Sequence, residues 1–161
     1  MGKEHHYSLT VRWTGNRGMG TSGYRSYDRS HLVLVENKPE ILGSSDPGFL
    51  GDPSRHNPED LFVASISACH MLWYLHLCSE AGVVVTDYYD NAKGTMQETS
   101  DGGGYFSEVN LYPTVTVTEQ SMLGKADSLH RRAHELCFIA NSVKFPVQHF
   151  PSCLISPKSS V

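Results

Sequence analysis

From Leu61 to Ser79 the chain carries no charged residue, and a run of that kind has few ways to fold. It follows the start "NPEDLFVASISAC". There Asn57 can cap a helix, Pro58 suits the first helical position, and Glu59 and Asp60 favour the positive end of the dipole. Gly82, in "SEAG", supplies the stop. The run approaches the ~20 residues that span a bilayer. However, Ser65, Ser67, His70 and His76 interrupt it, and the acidic pair stands where a basic anchor would be. The expectation is no membrane partner and a helix buried on all sides by protein.

The flanking segments alternate like strands. "YSLTVRW" places Tyr7, Leu9, Val11 and Trp13 on one face, the pattern of a half-buried strand. "TGNRGMGTSG" is rich enough in glycine to turn, "YRSYDRSHLVLV" reads as a strand, and "EIL" follows the turn "ENKP". Gly43 to Pro58 forms a long irregular loop, a length usually reserved for function or for covering a partner. After the helix, "VVVTDYYDNAKGTMQET" and "YFSEVNLYPTVTVT" read as two strands joined at "SDGGG". A second helix fits residues ~122–142 and "VKFPVQHF" closes the fold as a strand, with "SPKSSV" expected to fray. The order β-β-β-α-β-β-α-β defines an α+β class with two helices and roughly six strands. Residues 1–161 show no repeat or linker and are expected to form a single domain.

A formal charge of −4 argues against nucleic acid as a partner. "MGKEHHYSLTVRW" has no apolar signal region, so a cytoplasmic location is expected. The four cysteines, Cys69, Cys78, Cys137 and Cys153, would then meet a reducing environment, which favours a catalytic or redox pair over a disulfide framework. Cys69 and Cys137 each lie on an apolar side of a helix, and packing of such helices would let the thiols meet.

A thiol in apolar surroundings has its pKa raised. Cys69 lies about 15 Å along the axis from Glu59, too far for the helix dipole to act. A reactive Cys69 therefore needs a cation from elsewhere, and arginine, which stays charged when desolvated, suits the task. Arg17 in "WTGNRGMGT" is the candidate, with Glu59 as the carboxylate that holds it. Arg25, Arg29 and Arg55 are alternative cations. The same 15 Å separation keeps Glu59 from its own Cys69 and points to a site shared across a two-fold dimer.

These segments together resemble the OsmC/Ohr family of osmotically induced and organic hydroperoxide resistance proteins. "NPEDLFVASISAC" is similar to its central-helix signature, "WTGNRGMGT" to its arginine turn, and "AHELCFIANS" to the segment holding its second cysteine. The resemblance implies the OsmC-like fold, with two central helices packed on antiparallel sheets in an intertwined homodimer. It implies a peroxiredoxin-like cysteine peroxidase for organic hydroperoxides. In that activity Cys69 attacks the peroxide, Arg17 activates it, Glu59 orients Arg17, and Cys137 closes a disulfide that an external thiol or dithiol reduces. No cofactor is implied. Leu72, Trp73, Phe138 and Ile139 would line the site and favour alkyl peroxides. The chain departs from the family at Phe138, where proline is common, and at His70, directly after Cys69.

Two other readings remain open at this level. A non-catalytic stress protein of the same fold would use the apolar pocket for a ligand. A metal-binding protein would use His130, His134 and Cys137, at i, i+4 and i+7, with His70 as a fourth ligand. Cys78 and Cys153, claimed by no motif, read as structural.

Overall fold

The computed structural model describes residues 2–157; residues 158–161 of the expected frayed tail lie outside the described residues. Two compact units emerge, one ending at Phe62 and the other beginning at Val63.

The first unit is built on an antiparallel meander of β1 (Thr10–Trp13), β2 (His31–Leu34) and β3 (Ile41–Gly43), with Val11 opposite Val33 and Leu32 opposite Leu42. The strands are shorter than their sequence patterns suggested: residues 24–26 turn, and Tyr27 makes only an isolated bridge to Asn16 before β2 begins at His31. The face carrying Tyr7, Leu9, Val11 and Trp13 is exposed rather than half-buried, with Tyr7 at 91 %. No element of this unit covers it.

The "WTGNRGMGT" turn is held by close backbone approach. Trp13 Nε1–H donates to the Asp28 carbonyl at 2.8 Å, and Asp28 N–H donates to the Gly15 carbonyl at 2.8 Å. A side chain on Gly15 would collide with Asp28. Asn16 Oδ1 accepts the N–H groups of Gly18 and Gly20 at 2.9 and 3.0 Å, so this turn is fixed by its own sequence.

Helix α1 runs without a break over Pro58–Glu80. Its start matches the capping signal. Asn57 Oδ1 accepts the Asp60 N–H at 2.7 Å, and Asp60 Oδ2 accepts the Asn57 N–H at 3.3 Å, a reciprocal cap that satisfies two donors. Gly82 follows in the left-handed conformation at φ 72°.

The second unit holds two three-stranded sheets. One is ordered β4 (Val85–Asp90), β7 (Pro113–Val117), β9 (Ser152–Ile155), and the other β5 (Lys93–Glu98), β6 (Gly104–Leu111), β8 (Val147–His149). β4–β7 and β5–β6 are antiparallel, while β7–β9 and β6–β8 are parallel. Each of the two long strands expected here is thus two strands, the expected closing strand is the shorter β8 with β9 beyond it, and the described residues hold nine strands in all. Asp90 marks the division. Its carboxylate accepts the Tyr112 N–H and the Ser67 hydroxyl, both at 2.6 Å, where the hairpin passes from one sheet to the other.

Helix α2 covers Leu123–Leu136 and ends before the expected residue 142, with a short 3-10 turn over Ala140–Ser142. It packs on β9 through a face where Ala126 and Ala133 are fully buried. The core joins Tyr74 and Cys78 of α1 to Val83, Val115, Val117, Ala126 and Ala133. By length and composition α1 is apolar enough to cross a membrane. Its buried residues form one narrow stripe, Ile66, His70, Tyr74 and Cys78, at four-residue spacing. The expected burial on all sides is therefore not found within one chain, and Leu72 is 63 % exposed.

Candidate thiol site

Cys69 projects from the middle of α1 and is half-buried, whereas Cys137 is buried. Cys137 caps α2 in extended conformation rather than lying inside a helix. Its N–H donates to the His134 carbonyl at 3.2 Å, and its sulfur accepts the Ala140 N–H at 3.5 Å. Cys69 is near enough to act on the Cys137 thiol, which titrates well above the usual range. Burial is the main cause, opposed by the Ala140 N–H and reinforced by Cys69. Cys137 is therefore held as a neutral thiol beside Cys69.

Cys69, Leu72, Trp73 and His76 share one face of α1 at i, i+3, i+4 and i+7. Leu72, Trp73 and His76 line a small cavity of about 210 Å³. The Trp73 ring meets Phe138 edge-on at 5.5 Å, so the residue that replaces the family's proline extends this apolar surface. Phe138 is itself 69 % exposed.

The other two expected site residues lie in the first unit and do not pair with each other. Arg17 is 52 % exposed, lies 3.7 Å from Asp28 through Nε, and donates to the Arg25 carbonyl. Glu59 Oε2 is buried without a hydrogen-bond partner. Sequence reasoning missed Asp28 as the carboxylate beside Arg17; the only signal was an acidic residue inside the basic stretch "YRSYDRS". Among the alternative cations, Arg29 is committed to its loop. It lies over the rings of Tyr24 and Tyr27, at 4.4 and 4.3 Å, and donates to both carbonyls. Arg55 lies 3.5 Å from Asp52 and leaves Nη1 buried and unpaired.

The histidines do not assemble as metal ligands. His70 Nε2 and His130 Nδ1 share a hydrogen bond at 3.0 Å, and His134 packs against His149. Among the described residues no group of three or more His, Cys, Asp or Glu is arranged to hold a metal ion.

Comparison with known proteins identifies the fold. A family profile for OsmC-like proteins matches residues 51–149. An OsmC-like protein of unknown function from Vibrio cholerae is 31 % identical, with a TM-score of 0.81 over 92 % of this chain and 99 % of its own. An organic hydroperoxide resistance protein from Elizabethkingia anophelis is 20 % identical, with a TM-score of 0.66 over 96 % of this chain and 100 % of its own. A third, the organic hydroperoxide resistance protein OsmC from Legionella pneumophila, is also 20 % identical, with a TM-score of 0.66 over 94 % and 99 %. No curated protein matches the sequence.

Proposed function

The chain belongs to the OsmC-like family, and from that premise we propose that it is a cytoplasmic, cysteine-based peroxidase reducing organic hydroperoxides to alcohols. The observation that carries this reading is the meeting of Cys69 and Cys137. A half-buried sulfur on α1, on the same helix face as the apolar cavity lined by Leu72, Trp73 and His76, has a neutral thiol near it.

The steps follow from that arrangement. The Cys69 thiolate attacks one peroxide oxygen and the O–O bond breaks. The departing alkoxide takes a proton and leaves as the alcohol, and Cys69 becomes a sulfenic acid. The Cys137 sulfur then displaces hydroxide from that sulfenic acid, forming the Cys69–Cys137 disulfide and releasing water. An external thiol or dithiol returns both cysteines to the reduced state by exchange. The Leu72, Trp73 and Phe138 surface favours substrates with an alkyl or aryl group, through its burial.

Arg17 is assigned to lower the Cys69 pKa and to stabilise the charge developing on oxygen, with Glu59 orienting it. This assignment requires Arg17 to exchange Asp28 for the site. The reading also includes a homodimer with shared sites. Supporting it are the exposed apolar side chains of β1 and α1 and the unbroken helix that sets Glu59 about 15 Å from its own Cys69.

The test is a titration of reduced protein with cumene hydroperoxide. Two thiols per chain should disappear within the first equivalents, and mass mapping should link Cys69 to Cys137. Cys69→Ser should abolish turnover, while Cys137→Ser should stop after one turn with a sulfenic acid on Cys69. A Cys69 that stays reduced under stoichiometric peroxide would refute the proposal and favour a non-catalytic ligand-binding role for the same cavity.

A further inference from the structure

Phe138 is an apolar ring that the core does not use, yet its backbone is firmly held. After α2 the Asn141 N–H donates to the Cys137 carbonyl at 3.0 Å and the Ser142 N–H to the Ile139 carbonyl at 3.0 Å. The Ser142 hydroxyl donates to the Phe138 carbonyl at 2.7 Å. The ring so placed is 69 % exposed, so burial does not explain its position. It meets Trp73 edge-on, with ring centres 5.5 Å apart and planes at 72°. Trp73 in turn meets His76 edge-on at 5.8 Å and packs against the core.

This aromatic group lies where the two thiol segments come together. Trp73 stands one turn after Cys69, and side chains at i and i+4 of a helix are neighbours, about 5–6 Å apart at Cβ. Phe138 directly follows Cys137. Trp73 thus touches Phe138 on one side and, with Leu72 and His76, lines the cavity of about 210 Å³.

We propose that Phe138 determines the specificity of the thiol site, selecting hydroperoxides with a single aromatic ring beside the peroxide group, an inference that rests on the peroxidase reading and names its substrate class. The size fits. A dry apolar cavity of about 150 Å³ takes benzene, so about 210 Å³ accommodates one ring with a short branch, whereas a long chain would leave most of its length outside. The chemistry fits as well. A ring entering beside Trp73 and Phe138 gains edge-to-face contacts that a saturated ring of the same size lacks, and these change binding by about two- to tenfold beyond area. Trp73 is committed to the core. Phe138 is the ring left free to set the preference.

The test is a competition. Reduced protein, at single turnover, is offered an equal and excess mixture of cumene hydroperoxide and its saturated analogue, 2-cyclohexyl-2-propyl hydroperoxide, and the two alcohols are quantified. Both are tertiary peroxides of nearly equal size, so the product ratio reads the ring alone. The native protein should form about two to ten times more of the aryl alcohol. Phe138→Leu, which keeps apolar bulk, should cut that preference at least about twofold, and Phe138→Tyr should retain it. A native ratio near one would overturn the proposal. So would an unchanged ratio in Phe138→Leu, the result expected if the ring only packs against a second copy of the chain. Because the side chain is largely exposed, both variants should fold as the native protein does, which thermal unfolding checks. Failure of the peroxidase reading looks different: neither alcohol forms, and the specificity assignment falls with it.

Discussion

His70 and His130 meet through one hydrogen bond between two ring nitrogens, at 3.0 Å, and both are buried. In two neutral imidazoles joined this way, one outer nitrogen is left as a donor and the other as an acceptor, whichever ring gives the proton. The structure pairs neither: His70 Nδ1 and His130 Nε2 are buried without partners. Desolvation is the first cause lowering both pKa values, to about 4 for His70 and about 3 for His130, with repulsion from neighbouring histidines added. His149 is lowered too, against a pull from Asp127. The sign follows. Above the unfolded value of ~6.5 both states are neutral and stability is complete. Below it the unfolded chain binds protons that the folded chain refuses, so stability falls towards the folded pKa values, by up to about 1.4 kcal/mol per pH unit for each group. Urea unfolding at neutral pH and near pH 5 should show this loss, and His130→Gln should flatten the dependence. An equal slope in both proteins would show that these rings do not set it.

At the scale of elements, Asp90 decides where one strand becomes two. Its two hydrogen bonds, to Ser67 of α1 and to the Tyr112 N–H, tie the sheet crossover to the central helix. Asp90→Ala should cost about 3–6 kcal/mol, the worth of two hydrogen bonds to a charged group, and thermal unfolding would measure it. Gly94 is a second constraint of this kind. A Cβ there would meet Val63 of α1 and the Phe106 ring at under 3 Å. Gly94→Val should destabilise by about 1–3 kcal/mol through overpacking, read in the same assay. These contacts explain what the sequence showed and what it hid. The cap at Asn57, the stop at Gly82 and the α+β order were legible because each rests on local chemistry. The division of the strands was not, since a period-2 pattern continues on either side of Asp90 and only a contact from another element breaks it. The nearness of Cys69 and Cys137 was expected from the packing of two apolar helices and from the family resemblance, not from any local rule, since 68 residues separate them in the chain.

At the scale of the molecule, the apolar surface of one chain is unfinished. A helix apolar enough to cross a membrane buries one stripe, and Leu72, Phe138, Tyr7 and Trp13 are all open to water. A second copy of the chain is the partner expected to cover such surface, and sedimentation should then give twice the 17.9 kDa chain mass. Whether the copies merely touch or complete each other's sites is a separate question, which mixing can answer. Cys69→Ser protein should be inactive, and Glu59→Ala protein should be slowed if that carboxylate orients the activating arginine. In a dimer with shared sites, each site takes Cys69 from one protomer and Glu59 from its partner. A mixed dimer of the two variants then has one site carrying both substitutions and one site carrying neither. Activity should therefore return to about half the native value per mixed dimer, because one of two sites is intact. If each site were contained in a single chain, the mixed dimer would join a dead site to a slowed one, and mixing would restore nothing. Co-refolding the two variants, isolating the mixed species through a tag on one of them, and measuring hydroperoxide turnover separates these outcomes. The continuous α1, with its acidic start and its cysteine ten residues apart, favours the first.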